Sequence, residues 1–423
     1  MAKVAPEDSD TTDVPLLKFK SGMFGLMGES ITTITFCKGD ATTGAAFLKD
    51  RLKEVAASNP WICGTIVKAK PLSFLRVPTA APAVDSIFEF NQDLKVSEQM
   101  DYRDLVKAVK KSVAYLPTGG KIAKTGVPVS RLTVVPVKAV GQNPAGFAVI
   151  FSMSHMIANG GTYTMIHNMI GDGKIIALNT TRKQELSDKV PEWVGKKHYA
   201  YMTGSIGNTL NAIGCLLFGK MPASFCFMID DNKLKAAKEK AKDATPDLPD
   251  GMHISTNDVL TSGFAVVCKP RLLTMAMDFK GRIDGLKRED AGNYHAGIML
   301  DPKSYTQPGE IRKAVAGPAP CSRASLPACL TATTCRTAII TSWAGFKGLL
   351  DIPGCTQTMH CPIADTASML VKAQNALCIV FNPQPGRTAM LCCVKSTTPA
   401  QLTRGLPIEG PLSLRMWPTS LIM

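Results

Sequence analysis

Among the 423 residues of this chain, His155 is the side chain best placed to do chemistry. It follows the apolar run 146–153, GFAVIFSM, and Ser154, and precedes a small turn through Ala158, Asn159, Gly160 and Gly161. A nearly continuous apolar run of that length reads as a buried strand, and the glycines turn the chain into the helical spacing of Tyr163, Met165, Ile166, Met169 and Ile170. An imidazole at such a strand end can project into a cleft. There it can take a proton from an attacking hydroxyl or amine and return it to a leaving group. Position alone fits a structural histidine equally well. His167, one helix further on, reads as a helix-surface or core residue.

The cysteines offer less. Thirteen are scattered along the chain, an odd count without a short secreted scaffold, so reduced thiols are expected. Cys392-Cys393 and the pair Cys355 and Cys361 lack the CxxC spacing that lets two thiolates share a tetrahedral metal, so no metal site is expected. Cys63, Cys268 and Cys335 lie in apolar contexts, where a thiol behaves as a small hydrophobe.

The elements that must position His155 follow from periodicity. Residues 47–58 form an amphipathic helix with Phe47, Leu48, Leu52 and Val55 on one face, ended by Asn59-Pro60; residues 61–67 then turn into a buried strand. A helix is predicted around 102–115 and a strand over 131–140. Residues 171–223 have weak periodicity and read as a long crossover between two halves. Beyond it come the strand-like SFCFMI, a lysine-rich helix over 233–242, and a helix capped by Ser255, Thr256, Asn257 and Asp258. Strands are predicted at 272–279, 337–342, 377–381 and 388–394. The fold class is mixed α/β.

Composition bounds the rest. With 45% hydrophobic and 19% charged residues the chain can bury large cores, and its length predicts two of them. Residues 1–17, carrying Glu7, Asp8, Asp10 and Asp13, read as a disordered acidic tail rather than a signal peptide. No stretch reaches the ~18 uninterrupted apolar residues of a membrane span; the segment 206–218, broken by Asn208, Thr209 and Asn211, reads as a buried crossover helix, ahead of a segment contacting lipid or an apolar acceptor. A cytoplasmic monomer without stable membrane insertion is expected. The net charge of +14 is dispersed, without an aromatic-interleaved basic motif, so nucleic acid is not an expected partner. A positive field can still attract an anionic cosubstrate.

Ser154-His155-Met156-Ile157-Ala158-Asn159-Gly160 resembles the His-x-x-x-Asp-Gly motif of the CoA-dependent acyltransferases, which include chloramphenicol acetyltransferase, the peptide-synthetase condensation domains and the BAHD-type transferases. Other landmarks follow in that superfamily's order. LKDRLKEVAASNPWICG is similar to its N-terminal helix and Pro turn. Ser255-Thr256-Asn257-Asp258-Val259-Leu260-Thr261 resembles its Ser-Thr-Asn-Asp-x-Leu-Thr helix start. Asp278-Phe279-Lys280-Gly281-Arg282 resembles its Asn-x-Arg-Gly-Arg strand end, Gly292-Asn293 its Gly-Asn, and Thr341-Ser342-Trp343 its Thr-Ser-Trp.

The resemblance implies two similar chloramphenicol-acetyltransferase-like halves, 18–175 and 224–423, joined by a crossover over 176–223, with a channel at their interface. It implies acyl-CoA as cosubstrate, an acceptor alcohol or amine, no bound cofactor, and direct attack without an acyl-enzyme. His155 would be the base and Trp343 the oxyanion donor, with Asn159 orienting the loop. Thr341, Ser342, Gly160, Ser255, Thr256, Arg282 and Asn293 would contact substrates. A carrier-protein thioester donor, or ligand binding without turnover, are the alternatives. Three departures stand out: Asn159 replaces the motif aspartate, Lys280 replaces an arginine, and Asp351-Ile352-Pro353-Gly354-Cys355 replaces Asp-Phe-Gly-Trp-Gly.

Overall fold

The computed structural model describes residues 10–21, 23–80, 83–139, 145–346 and 348–411. Its first sheet runs in the order Thr356–Pro362, Ile31–Lys38, Gly146–Met153, Ser130–Val137 and Phe88–Phe90. Strand Gly146–Met153 is central, with Met153 paired to Ile31 on one side and to Ser130 on the other. That double pairing fixes the strand end from which His155 emerges. Alternation divides its side chains: Phe147, Val149 and Phe151 enter the core beneath helices Ala41–Ser58 and Gly160–Ile170, while Ala148 and Ile150 face the second half.

The second sheet has the order His295–Leu300, Leu272–Asp278, Thr337–Ser342, Ala376–Phe381, Ala389–Val394, Ala223–Ile229 and Ile408–Pro411. Strand Thr337–Ser342 is parallel to both of its neighbours, 272–278 and 376–381. Parallel pairing brings Asp278 and the Ser342-Trp343 step out at the same edge of the sheet, the carboxyl end where open α/β sheets place ligands. The predicted strands and the helices Tyr102–Lys111, Asp231–Asp243 and Thr256–Cys268 are present at or within a few residues of the expected positions.

A shared apolar core joins the sheets: Ile34, Phe36, Ala148 and Ile150 pack with Leu377, Ile379 and Leu391. Strand 356–362 crosses from the later part of the chain to lie antiparallel beside Ile31–Lys38.

Two expectations are corrected. Thr11–Pro15, read as part of a disordered tail, form a strand antiparallel to Phe74–Pro78, with Arg76 forking onto Asp13 at 2.9 Å through both nitrogens; residues 1–9 lie outside the described residues. Residues 206–218 do form a helix, Ile206–Leu217, yet it is not buried: Ile206, Leu210, Ile213 and Leu217 face solvent, and Gly207 and Asn211 face inward. Three further short helices, Gln184–Ser187, Val190–Val194 and Lys196–Gly204, order the rest of the supposed crossover. Its sequence hid them because each is too short for periodicity to show.

Candidate active site

His155 leaves the central strand in a turn whose entry is held by the Ser154 N–H to Val129 O at 2.8 Å. Its Nδ1 lies 2.9 Å from Ala158 O and 3.1 Å from Asn293 Oδ1. The Asn293 amide is oriented by its own Nδ2, which donates to His155 O at 2.7 Å. Both partners of Nδ1 are therefore acceptors, and the neutral imidazole carries its proton there. Nε2 is left with the lone pair, as a general base requires. The ring stacks on His295, with centroids 5.3 Å apart and planes tilted by 24°.

Asn293 thus serves the histidine loop, where sequence reading expected a substrate contact. Gly292 makes this possible: its φ of 150° is one that side-chain-bearing residues avoid, and a Cβ there would meet the Tyr294 ring at 2.8 Å.

Asn159 caps helix Gly160–Ile170, accepting from Thr162 N at 3.0 Å. The same oxygen accepts from Lys280 Nζ at 3.3 Å, and Lys280 also donates to Thr162 Oγ1 at 2.9 Å. Asp278 approaches the Lys280 ammonium at 3.8 Å. Burial raises the Asp278 pKa, opposed by Lys280, and lowers that of Lys280, opposed by Asp278. Each group thus offsets part of the other's desolvation, and removing either one leaves its partner buried without a counter-charge. Arg282 is tied elsewhere, donating to Val315 O at 2.7 Å.

Arg182 is the residue that sequence reading missed. Its guanidinium donates to Ile157 O within the histidine turn at 3.2 Å, to Thr180 O at 3.1 Å, and to Ala291 O just before Gly292-Asn293. One side chain fastens the two loops that carry His155 and Asn293. Burial pulls its pKa down to about 10, so it remains a cation at neutral pH. Lys183 supports the second loop, pairing with buried Asp290 at 2.8 Å. Nothing in the low-periodicity segment around Arg182 marks this role, which exists only through tertiary contact.

Trp343 follows strand 337–342 and is anchored by its N–H to Val380 O at 2.7 Å. Its indole Nε1 lies 3.5 Å from the point where a side chain at Gly160 would begin, so the indole abuts the helix start beyond the histidine turn. Alternation puts Thr341 on the face shared by Ile339 and Trp343, which pack toward the inter-sheet core, and Ser342 on the other. Ser255 closes a capping box with Asp258, itself paired with Arg312 at 2.5 Å, and Thr256 opens that helix. Asn159, Asn293, Arg182 and His295 thus meet the His155 loop and Trp343 its helix; Ser255, Thr256 and Arg282 serve the second half.

The altered loop 351–355 retains a packing role. Leu350 and Ile352 are buried in the first core, and Asp172 N donates to Asp351 O at 2.8 Å at the far end of helix 160–170.

The chain matches no protein-family profile and no curated protein sequence. Solved structures do match. Polyketide synthase associated protein 5 from Mycobacterium tuberculosis aligns with a TM-score of 0.58 at 11% identity, over 96% of this chain and 97% of that one. Vinorine synthase aligns at 0.57 and 12%, over 97% and 96%. F. graminearum TRI101 complexed with coenzyme A and T-2 mycotoxin aligns at 0.55 and 13%, over 93% and 96%. The chain therefore has the two-domain fold of the BAHD-type transferases and condensation domains, with its halves in the chloramphenicol acetyltransferase-like arrangement.

Proposed function

We propose that this protein transfers an acyl group from an acyl thioester, with acyl-CoA as the donor, to the hydroxyl or amine of a small acceptor. The observation that carries the reading is the pair of acceptors on His155 Nδ1, which leaves Nε2 as a base at the end of a rigid strand. That TRI101 is a complex with coenzyme A and a mycotoxin favours the CoA donor and a small acceptor here.

In the proposed reaction the acceptor oxygen or nitrogen attacks the thioester carbonyl while Nε2 takes its proton. The new C–O or C–N bond forms, the C–S bond breaks, and the proton passes from Nε2 to the departing thiolate. Trp343 Nε1–H, a donor without acceptor capacity, is assigned to the developing oxyanion. Asn293 and Arg182 hold the tautomer and the loop; Asn159 holds the helix start.

A carrier-protein thioester is the second donor reading, favoured by the similarity to the first condensation domain of the CDA synthetase, with a TM-score of 0.55 at 11% identity. Binding without turnover, suggested by Asn159 and the altered 351–355 loop, is the remaining reading; the contact of Asn159 with the Lys280 ammonium favours turnover over it. Release of free thiol from a panel of acyl-CoAs with pooled alcohols and amines tests the proposal; a response from at least one pairing is expected, and a flat response across the panel argues for binding alone.

A further inference from the structure

Helix Ile206–Leu217 wears its amphipathicity inside out. Ile206, Leu210, Ile213 and Leu217 recur at helical spacing on the solvent side and continue into Phe218; Ile206 is 72%, Leu217 69% and Phe218 87% exposed. The inward side is small and polar. Gly207 lets the helix approach Cys329 O, which a Cβ would meet at 2.4 Å, and Asn211 Nδ2 donates to Cys335 O at 2.7 Å. Two neighbours extend the patch: helix Cys329–Ala332 presents Leu330, 85% exposed, and helix Met369–Lys372 presents Met369 and Leu370. Lys395 ties the latter down, its ammonium donating to Cys215 O at 3.2 Å and Lys372 O at 2.6 Å. The exposed apolar surface is thus held in place by three helices.

Charge identifies what covers it. The elements that build this face, helices Ile206–Leu217, Cys329–Ala332 and Met369–Lys372 and the crevice residues 266–271, 302–306 and 334–336, contain no aspartate or glutamate. Beside the patch, a crevice of about 710 Å³ is lined by Lys269, Arg271 and Arg336, with Cys335 forming the seam between crevice and helix. The nearby carboxylate of Asp301 is buried and accepts from Ser304 N at 3.2 Å and Ser325 N at 2.9 Å. Lys220, exposed, lies just beyond Phe218. A contiguous apolar stripe bordered by cations and free of carboxylates is the combination that settles into an anionic lipid interface, apolar side chains below the headgroups and ammonium and guanidinium groups on the phosphates. No helix among the described residues is long and apolar enough to cross a membrane, so the helix lies in the interface plane.

We propose that the face built by helices 206–217, 329–332 and 369–372, with the adjoining Lys269–Arg271–Arg336 crevice, docks the protein onto an anionic membrane surface. The strands 272–278 and 337–342 begin at the crevice and end at Asp278 and the Trp343 step, so roughly 20 Å of sheet separates docking face from reaction centre. Substitutions on this face therefore leave the catalytic groups in place.

Co-sedimentation of the full chain with vesicles tests the proposal. Wild type is expected to bind phosphatidylserine-containing vesicles and to bind pure phosphatidylcholine vesicles much more weakly. Leu217→Asp combined with Phe218→Asp, both exposed and with an unchanged melting temperature, should abolish binding. Lys220→Gln and Arg271→Gln should each weaken binding to the anionic vesicles by about fivefold. Equal binding of wild type to both vesicles, no binding to either, or full binding by the double aspartate variant overturns the proposal. So does a lipid-free dimer, seen by sedimentation velocity, that the same double variant dissolves, since the patch would then be covered by a second copy.

Discussion

Lys280 reaches across from the second half of the molecule to Asn159, with Nζ 3.3 Å from the amide oxygen that caps the His155 helix, while Asp278 holds the same ammonium at 3.8 Å. Relative to the motifs this chain resembles, the amide and the carboxylate have exchanged places: the acid sits on the strand and the amide on the loop, around a retained cation.

That exchange fixes the outcome of restoring the motif aspartate. Asn159→Asp puts a second carboxylate beside Asp278, with one cation between them, and one acid must take up a proton or strain the site; a loss of about 1–3 kcal/mol is expected. Asp278→Asn alone leaves buried Lys280 without its counter-ion and should cost about 3 kcal/mol or more. The double variant rebuilds a single carboxylate and should recover most of the loss. Urea unfolding of all four proteins measures the coupling; additive losses in the double variant would refute the exchange.

A pair of buried histidines makes stability depend on pH. His167 and His360 pack edge to face at 5.1 Å, and His360 Nδ1 bonds Thr35 Oγ1 at 2.8 Å. Burial pushes the His167 pKa down to about 4 and that of His360 well below its usual value. The unfolded chain therefore binds protons that the folded one refuses. Their contribution is complete above about pH 6.5 and falls as pH drops toward 4, by about 3 kcal/mol for His167. The stability of wild type minus that of His167→Phe should fall by about 3 kcal/mol as pH drops across that window; a constant difference would contradict the assignment.

Much of this was legible in the residues. The strand–His–turn–helix unit, the later strands and the Ser255 cap all rest on local periodicity and turn chemistry, which a single chain displays. Arg182 was not legible, because its partners Ile157 O and Ala291 O are backbone groups distant in sequence. Nor was the role of Asn293, which needs the 138-residue separation from His155 to close. The exposure of helix 206–217 was misread for a related reason: apolar spacing marks a face without saying whether core or solvent meets it.

Arg182→Met should release both loops at once. Leaving Ile157 O and Ala291 O unpaired costs about 1–3 kcal/mol of stability, and displacement of the imidazole should lower kcat by on the order of a hundredfold. KM for acyl-CoA should change little, since the residue touches loops and not substrate. A raised KM with unchanged kcat would place Arg182 at the donor site instead.

Trp343→Phe keeps most of the ring and removes the one donor. A deficit of about 2–4 kcal/mol in activation free energy, with acyl-CoA affinity retained, is expected from loss of an oxyanion contact. Unchanged turnover would make Trp343 a packing residue against Gly160.

The central claim is that Nε2 of His155 takes the acceptor proton, and it is tested most directly by the turnover of folded His155→Ala with the acyl-CoA and acceptor that wild type uses. The account predicts a fall of about two to four orders of magnitude with acyl-CoA binding preserved. Turnover near that of wild type, in a variant with the same melting temperature, would contradict it.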